Sequence, residues 1–587
     1  MQYLTLYNFF MTKYLKEHKT ETILVFAITI FALILRIIAL QNFGDLWVDE
    51  LYSKYFASKN SAIDITKALF KEDFHVPFYF VLLHYWTKLF GSADNVLRLM
   101  GLLITTLTIP VSYYVVKDLF NDFAGAFSAV LLAINAFNIH YSVELRFYGI
   151  AILFALLSTY FFVKLSQNFN KKWVICYSIF TLLLLYTYNF SFMYVFCQFI
   201  VGLIYFIKTK KNCSKYIGMY SLIGVLYLPV IVMILHNILT YQTSILQFVR
   251  DIFAFDLSCL FTLLMTIYTN CFEQFTTNDI MRNYYYFKYL FSFEGILYVV
   301  IPISIGIYGF ISALKSKNNN IRIFIYPAIL LLIIQIVLVF CHTLAFVLRY
   351  TIISTTLILL TSIIGLTLQI KPQNKKNEFV IAICSLWLIL NLIFLFHAGK
   401  YSVMNRNIVY SQNLAQTVEK LDVKQDDYVF IPRFDKLVRF YIPQGNHIDI
   451  DTYDSLFLGN RPQDIEFIFG RELSAKLDRK MAKTYLYDYL VNDESLIYLH
   501  KNLKEKYFSK MHKGQRFIIV TDEALDTLKT NQEWFKKDIN VYARSAIYYT
   551  LSAKILNDII EFSKQDLKYK QHLQPSEMFD IYVFEKE

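Results

Sequence analysis

The stretch Leu46-Trp-Val-Asp-Glu-Leu-Tyr-Ser53 places two adjacent carboxylates, Asp49 and Glu50, a few residues after the first long apolar run of the chain. That run, 22–40, is long enough to cross ~30 Å of hydrocarbon. Trp47 and Tyr52 are the amphipathic aromatics that settle at headgroup depth. Acids this close to a bilayer are either solvated loop residues or the working end of a catalyst. The rest of the chain has to decide which.

Composition puts the chain in a membrane. Of its 587 residues, 56% are hydrophobic, against roughly 45–50% in soluble domains, and mean hydropathy is +0.41. The net charge of +11 does not call for nucleic acid, because the basic residues cluster in short loops between apolar runs. That is the bias of cytoplasmic loops. The seven cysteines contain no CxxC and read as apolar fillers, not as a disulfide or zinc framework. The first apolar run is too long for a cleavable leader and reads as an uncleaved span.

The runs 22–40, 96–116, 123–137, 148–165, 172–188, 190–207, 216–236, 294–313, 323–341, 347–369 and 378–397 make about eleven spans. Lys208-Thr-Lys-Lys-Asn-Cys-Ser-Lys215 and Lys315-Ser-Lys317 mark inner loops. The apolar stretch 76–90 is short for a crossing and reads as an interfacial segment. Only if it lies flat do Asp49 and Glu144 share the outer face. A further apolar piece, 252–268, reads as a re-entrant or interfacial helix. Near residue 400 the apolar runs shorten and charge becomes dense. Strands are expected at 428–431, 466–469, 516–520 and 581–584, with helices at 413–421 and 551–563. The expected architecture is a polytopic α-helical membrane domain, 1–399, with a first outer loop 41–94, and a soluble extracytoplasmic α/β domain, 400–587.

Four groups of residues could carry chemistry. Asp49 or Glu50 could be a general base in a partly desolvated cleft, the bland alternative being a solvated helix-capping acid. Glu144, Arg146 and Tyr148 open a span in Tyr141-Ser-Val-Glu-Leu-Arg-Phe-Tyr148; the guanidinium fork suits a phosphate, or simply pairs within the loop. His75, in Asp73-Phe-His-Val-Pro77, is a base, a metal ligand or a hydrogen-bonded loop residue. Arg349-Tyr350 lies just inside a span, where an arginine is either functional or snorkels outward. Arg98 at another span start reads as an anchor. Asp449-Ile-Asp451 imitates a nucleotide-sugar motif, but it falls in the outer domain and lacks a glycine-rich phosphate loop. No Walker or dinucleotide fingerprint occurs, so ATP-driven transport and hydride chemistry have no support.

The pieces in order resemble a known family. The 46–53 stretch, Asp73-Phe-His-Val-Pro-Phe-Tyr79, Leu83-His-Tyr-Trp86, Leu89-Phe-Gly91, Leu97-Arg98 and the 141–148 stretch resemble the N-terminal half of C-type membrane glycosyltransferases. The nearest group is the protein O-mannosyltransferase-like superfamily (family 39-like), which includes the lipid A aminoarabinose transferases. The match is best over 20–200, and Leu348-Arg-Tyr350 follows more loosely. The resemblance implies transfer of a sugar, hexosyl or pentosyl, from a polyprenyl-phosphate donor to a hydroxyl acceptor at the outer face of the cell membrane. The acceptor would be a glycolipid, a cell-surface polysaccharide or a protein. Asp49 would be the catalytic base, Glu50 would hold the loop or a metal, and Glu144 would line the same cleft. Arg146 or Arg349 would neutralise the departing lipid phosphate, and His75, Tyr148 and Tyr350 would line the cleft. Two departures stand out. Val76-Pro77 replaces a common Pro-Pro, and Thr187-Tyr188-Asn189 replaces a common Thr-His-Tyr. Tyr188 is a poor zinc ligand, so no cofactor is certain and a divalent metal ion stays open. A secondary transporter is the alternative of a different class. It would place charges at mid-bilayer and show repeats. A noncatalytic scaffold would tolerate neutralising Asp49 and Arg349 together.

Overall fold

The computed structural model describes residues 19–43, 46, 48–72, 75–241, 257–270, 291–341, 347–368, 376–397, 412–432, 439, 442–450, 497–521, 544–574 and 580–587. The chain divides into two compact units. The first comprises 1–43, 56–237 and 254–407; the second comprises 44–55, 238–253 and 408–587.

The first unit is a helical bundle. It opens with α1 (Lys19–Gln41). The expected outer loop 41–94 carries three short helices, α2 (Val48–Ala57), α3 (Ala62–Glu72) and α4 (Phe78–Phe90). The longest of them has 13 residues, about 20 Å at 1.5 Å per residue, so none of them crosses a bilayer. The chain therefore leaves α1 and enters α5 (Asp94–Thr106) on one side. Helix α6 (Thr108–Leu119) continues α5 and brings Lys117 within 2.6 Å of Glu21 at the start of α1. This end of the bundle is rich in lysine.

Helix α7 (Asp122–Ile134) returns and bends by 59° into α8 (Ala136–Val143). Asn135 makes the break: its side chain caps α8 by accepting from the Asn138 N–H at 3.0 Å. Antiparallel neighbours follow: α9 (Tyr148–Gln167), α10 (Lys171–Thr187), α11 (Ser191–Thr209) and α12 (Cys213–Tyr241). On α12, Leu222, Val225, Leu228 and Val232 are all more than half exposed, as a lipid-facing surface requires. Then come α13 (Leu257–Tyr268), α14 (Ile301–Lys315), α15 (Asn319–Phe340), α16 (Ile352–Thr367) and α17 (Lys376–His397).

Among the described residues nine helical stretches are long and apolar enough to span, or ten if the bent α7–α8 pair counts as one. Of the eleven expected runs the short one is α10, with 17 residues, about 25 Å, and the broken one is the α7–α8 pair. Of the 252–268 stretch, the described part, α13, ends buried among the other helices. The Tyr268 carbonyl accepts from Trp387 Nε1 at 3.0 Å and Asn391 Nδ2 at 3.3 Å. Asn270 bridges the Ile134 carbonyl (2.8 Å), the Asn391 carbonyl (2.7 Å) and the Ala136 N–H (2.8 Å). A non-helical turn at this depth survives only because protein partners replace water. Helix α16 is buried along its whole length and is the axis of the bundle.

The second unit holds a five-stranded sheet of order β2-β1-β3-β5-β4, with β1 (Tyr428–Phe430), β2 (Asn446–Ile448), β3 (Arg516–Thr521), β4 (Lys568–Leu573) and β5 (Asp580–Glu585). The β2-β1-β3 part is parallel and the β3-β5-β4 part antiparallel. Helices α18 (Gln412–Leu421), α19 (Ile497–Lys506) and α20 (Arg544–Asp566) complete it. Phe430, Phe517 and Phe584 pack with α19 and α20 on one face. Val429, Ile518 and Val583 pack with α18 on the other. Both faces are covered, which is why the central strands read as continuous apolar runs. The edge strand β4, Lys-Tyr-Lys-Gln-His-Leu, escapes a hydrophobic reading because it is almost wholly exposed; its lysines guard an open edge. The strand expected at 466–469 lies outside the described residues.

Two charge clusters set this unit's stability. Buried Asp427 accepts from Arg516 Nε at 3.0 Å and from the Lys424 and Arg516 amides at 2.8 and 3.1 Å. Arg516 also reaches the Leu421 carbonyl, closing the end of α18. Asp427→Ala takes the buried acceptor from the Lys424 and Arg516 amides, while the half-buried Arg516 guanidinium keeps the Leu421 carbonyl, and is expected to cost this unit about 1–3 kcal/mol, seen as lost hydrogen-exchange protection in β3. At Asp566, burial works against the charged form. Lys504 at 2.8 Å and His500 at 2.9 Å outweigh it and hold the carboxyl below its ordinary value. The charged form is therefore favoured by folding. Its contribution is present above the ordinary carboxylate range, near ~4, and is lost as pH falls through the lower folded value. Asp566→Asn should lower the unit's melting temperature at neutral pH and make progressively less difference as pH drops below ~4.

Candidate functional site

Because the helices alternate in direction, every second connection of the first unit gathers at the end opposite the lysine-rich one. Residues from four separate connections meet there. The lead into α4 brings His75, the α8–α9 turn brings Glu144 to Phe147, the α10–α11 turn brings Tyr188 and Asn189, and the α15–α16 turn brings Arg349 and Tyr350.

The α8–α9 turn is not a solvated loop. Every residue from 131 to 150 is buried, with Glu144 at 3% and Arg146 at 4% exposure. Glu144 lies 3.7 Å from His140 Nε2, and the His140 ring packs on Phe43 at 5.0 Å. The Arg146 guanidinium stands over Phe147 at 5.0 Å, and one of its nitrogens is 3.0 Å from His75 Nε2. Guanidinium can only donate, so Nε2 accepts and a neutral His75 carries its proton on Nδ1. The His75 ring is flanked by Phe80 and Phe147 at 6.0 and 5.3 Å.

Aromatic rings line the rest. Tyr148 meets Tyr188 at 5.8 Å and Tyr141 at 5.2 Å, and Phe147 meets Tyr188 at 5.5 Å. The Tyr188 hydroxyl donates to the Tyr350 carbonyl at 3.4 Å, and Gln335 Nε2 donates to the same carbonyl at 2.8 Å. Arg349 is half-buried in a one-turn helix, Leu348–Thr351, with its guanidinium 5.9 Å from the Tyr350 ring centre. The arrangement concentrates two guanidinium groups, an imidazole, a carboxylate and several phenols in aromatic surroundings. There a fixed cation acts on an anion more strongly than it would in water.

The structure thus brings together six sequence-expected residues, namely His75, Glu144, Arg146, Tyr148, Arg349 and Tyr350. Asp49 and Glu50 open α2, where negative charge complements the helix dipole. Asp49 is half-buried and Glu50 fully buried, and both are grouped with the second unit. Trp47, Asp73 and Asp451 lie outside the described residues, while Asp449 is exposed, 4.0 Å from Arg439. Arg98, expected to be an anchor, is 1% exposed, its guanidinium 4.9 Å over Phe43. Two residues carry no expectation from the sequence. Arg36 is buried inside α1 and donates to the Ala32 carbonyl at 3.1 Å; a lone arginine within an apolar run is its signal. Gln335 has none, since an amide in a span is ordinary, whereas Asn189 is named in the sequence only as part of the departure Thr187-Tyr188-Asn189, with no role attached. Asn189 accepts the Val76 N–H at 3.0 Å, an N–H that a proline at 76 would lack. As for a metal ion, among the described residues no group of three or more His, Cys, Asp or Glu is placed to hold one.

Residues 74–236 match the family model of the dolichyl-phosphate-mannose-protein mannosyltransferases. No curated protein matches the chain in sequence. Among solved structures, ArnT from Cupriavidus metallidurans bound to undecaprenyl phosphate is similar at a TM-score of 0.50 and 9% identity, over 95% of this chain and 97% of that one. Its apo state gives 0.49 at 10% identity, over 96% and 98%. The oligosaccharyltransferase AglB from Archaeoglobus fulgidus, in complex with an inhibitory peptide and a dolichol-phosphate, gives 0.49 at 12% identity, over 94% and 74%. The resemblance read from the order of the motifs is borne out: the chain is similar to the protein O-mannosyltransferase-like superfamily. Its fold is that of a polytopic C-type glycosyltransferase with a sheet-bearing second unit.

Proposed function

We infer that the chain is a multi-pass membrane glycosyltransferase that takes a sugar from a polyprenyl-phosphate donor and passes it to a hydroxyl acceptor at the outer face of the membrane. The family match over 74–236 and the shared fold support the class. The observation that carries the reading is the 3.0 Å contact between Arg146 and His75. It joins two of the motifs that carry the resemblance at one end of the bundle, across 71 residues of chain.

In the proposed reaction Asp49 accepts the proton of the acceptor hydroxyl. The oxygen attacks the anomeric carbon as the bond from that carbon to the phosphate oxygen breaks, and the lipid phosphate departs with its added negative charge. A charge developing in a dry site needs a cation already in place. Half-buried Arg349 is suited to meet the phosphate directly, whereas Arg146, at 4% exposure and against His75, supplies charge from behind. Glu144, Tyr148 and Tyr350 shape the cleft.

The test is transfer by the purified full-length protein in nanodiscs, offered a panel of radiolabelled undecaprenyl-phosphate sugars and cell-envelope extract as acceptor. Label moving from the lipid donor to the acceptor is expected. Failure with every donor, together with uptake of an unmodified solute into proteoliposomes, would instead establish the transporter.

A further inference from the structure

Val76 is 1% exposed, and its backbone N–H donates to Asn189 Oδ1 at 3.0 Å, across 113 residues of chain. A buried N–H needs an acceptor. This one belongs to the residue next to His75, so the bond holds the backbone that carries the imidazole. The start of α4 just beyond, at Pro77, has no side-chain cap. The turn that supplies Asn189 also faces the opposite wall of the site. The Tyr188 hydroxyl is 3.4 Å from the Tyr350 carbonyl, and the Phe190 ring is 4.5 Å from the Tyr350 ring. Three consecutive residues thus touch Val76, the neighbour of His75, and Tyr350 of the Arg349–Tyr350 turn.

We propose that Asn189 is a positioning residue of the transferase, setting His75, and through it the Arg146 guanidinium, by its hydrogen bond to the Val76 amide. The proposal rests on the function inferred above. The residue type follows from the geometry: a planar amide offers a neutral acceptor at this reach. Leucine has the same bulk and accepts nothing, and aspartate accepts equally well.

Asn189→Leu and Asn189→Asp in full-length protein in nanodiscs test it with two readouts. The first is the rate at which diethyl pyrocarbonate modifies His75, followed by peptide mass spectrometry, which needs no substrate. The second is kcat and KM with the most active undecaprenyl-phosphate sugar of the panel. Asn189→Leu is expected to raise His75 modification several-fold and lower kcat about tenfold or more, with KM nearly unchanged, since misplacing a group by ~1 Å costs up to about a hundredfold. Asn189→Asp should stay within about threefold of the parent on both readouts, because the acceptor is kept. Parental modification and turnover in Asn189→Leu would overturn the proposal, as would an Asn189→Asp variant as impaired as Asn189→Leu. If the parent transfers no sugar at all, the function is wrong and the modification rates still decide the positioning role.

Discussion

Asp49→Asn is expected to lower sugar transfer by at least about a hundredfold while protein level, membrane insertion and melting temperature stay at parental values. A general base typically contributes 10²–10⁴-fold, and asparagine keeps the size of aspartate and one of its acceptor oxygens but cannot take a proton at neutral pH. The neighbouring acid should behave differently. Glu50 is 0% exposed whereas Asp49 is half-buried, so Glu50→Gln should be felt in stability as well as in turnover. Membranes carrying each variant, assayed for label transfer and for thermal aggregation, separate the two effects. Full transfer by Asp49→Asn would remove this residue from the reaction and leave it a helix-capping acid.

The second large effect is in the bundle axis. A Cβ placed on Gly365 of α16 would lie 1.9 Å from the Gly309 carbonyl and 2.7 Å from the Ala313 amide, both backbone atoms of α14. The reciprocal Cβ on Gly309 would lie 2.2 Å from the Ser362 carbonyl. The two helices therefore touch backbone to backbone, and Ser312 adds a hydrogen bond to the Gly365 carbonyl at 2.9 Å. Small residues permit such approach in membranes, where no hydrophobic force drives helices together and packing has to hold them. Gly365→Ala should destabilise by about 3 kcal/mol, at the upper end for overpacking, and Gly365→Val should abolish folded protein. Gly218→Ala and Gly224→Ala are controls, since nothing lies within 4 Å of a Cβ at either position. Yield and thermal stability by fluorescence-detected size exclusion read all four variants. A Gly365→Ala variant as stable as the controls would mean that α14 and α16 separate at little cost.

The helical class, the short apolar segment 76–90 that becomes α4, and the central strands of the second unit were legible from residue pattern alone, whereas the helices α2 and α3 before it were not. Apolar run length, turn residues and basic loops are local properties, and each reports on the segment that carries it. The exposed strand β4 and the 59° break at Asn135 were not legible, because an edge strand buries little and a break needs only one capping side chain. Arg98 illustrates the limit: at a span start, charge says only that a residue is costly to bury, and the ring of Phe43 decides that it is buried all the same.

For the site the division is sharper. Sequence alone determined which residue types are available, an acid pair after the first span, Glu144 with Arg146, His75 and Arg349, and the order in which they occur. Only the tertiary structure decided that His75 meets Arg146, that Tyr188 and Gln335 meet at one carbonyl, and that Asn189 holds the Val76 amide. These are contacts across 15 to 162 residues of chain. They depend on the direction, length and bend of every intervening helix, and no local pattern encodes that sum.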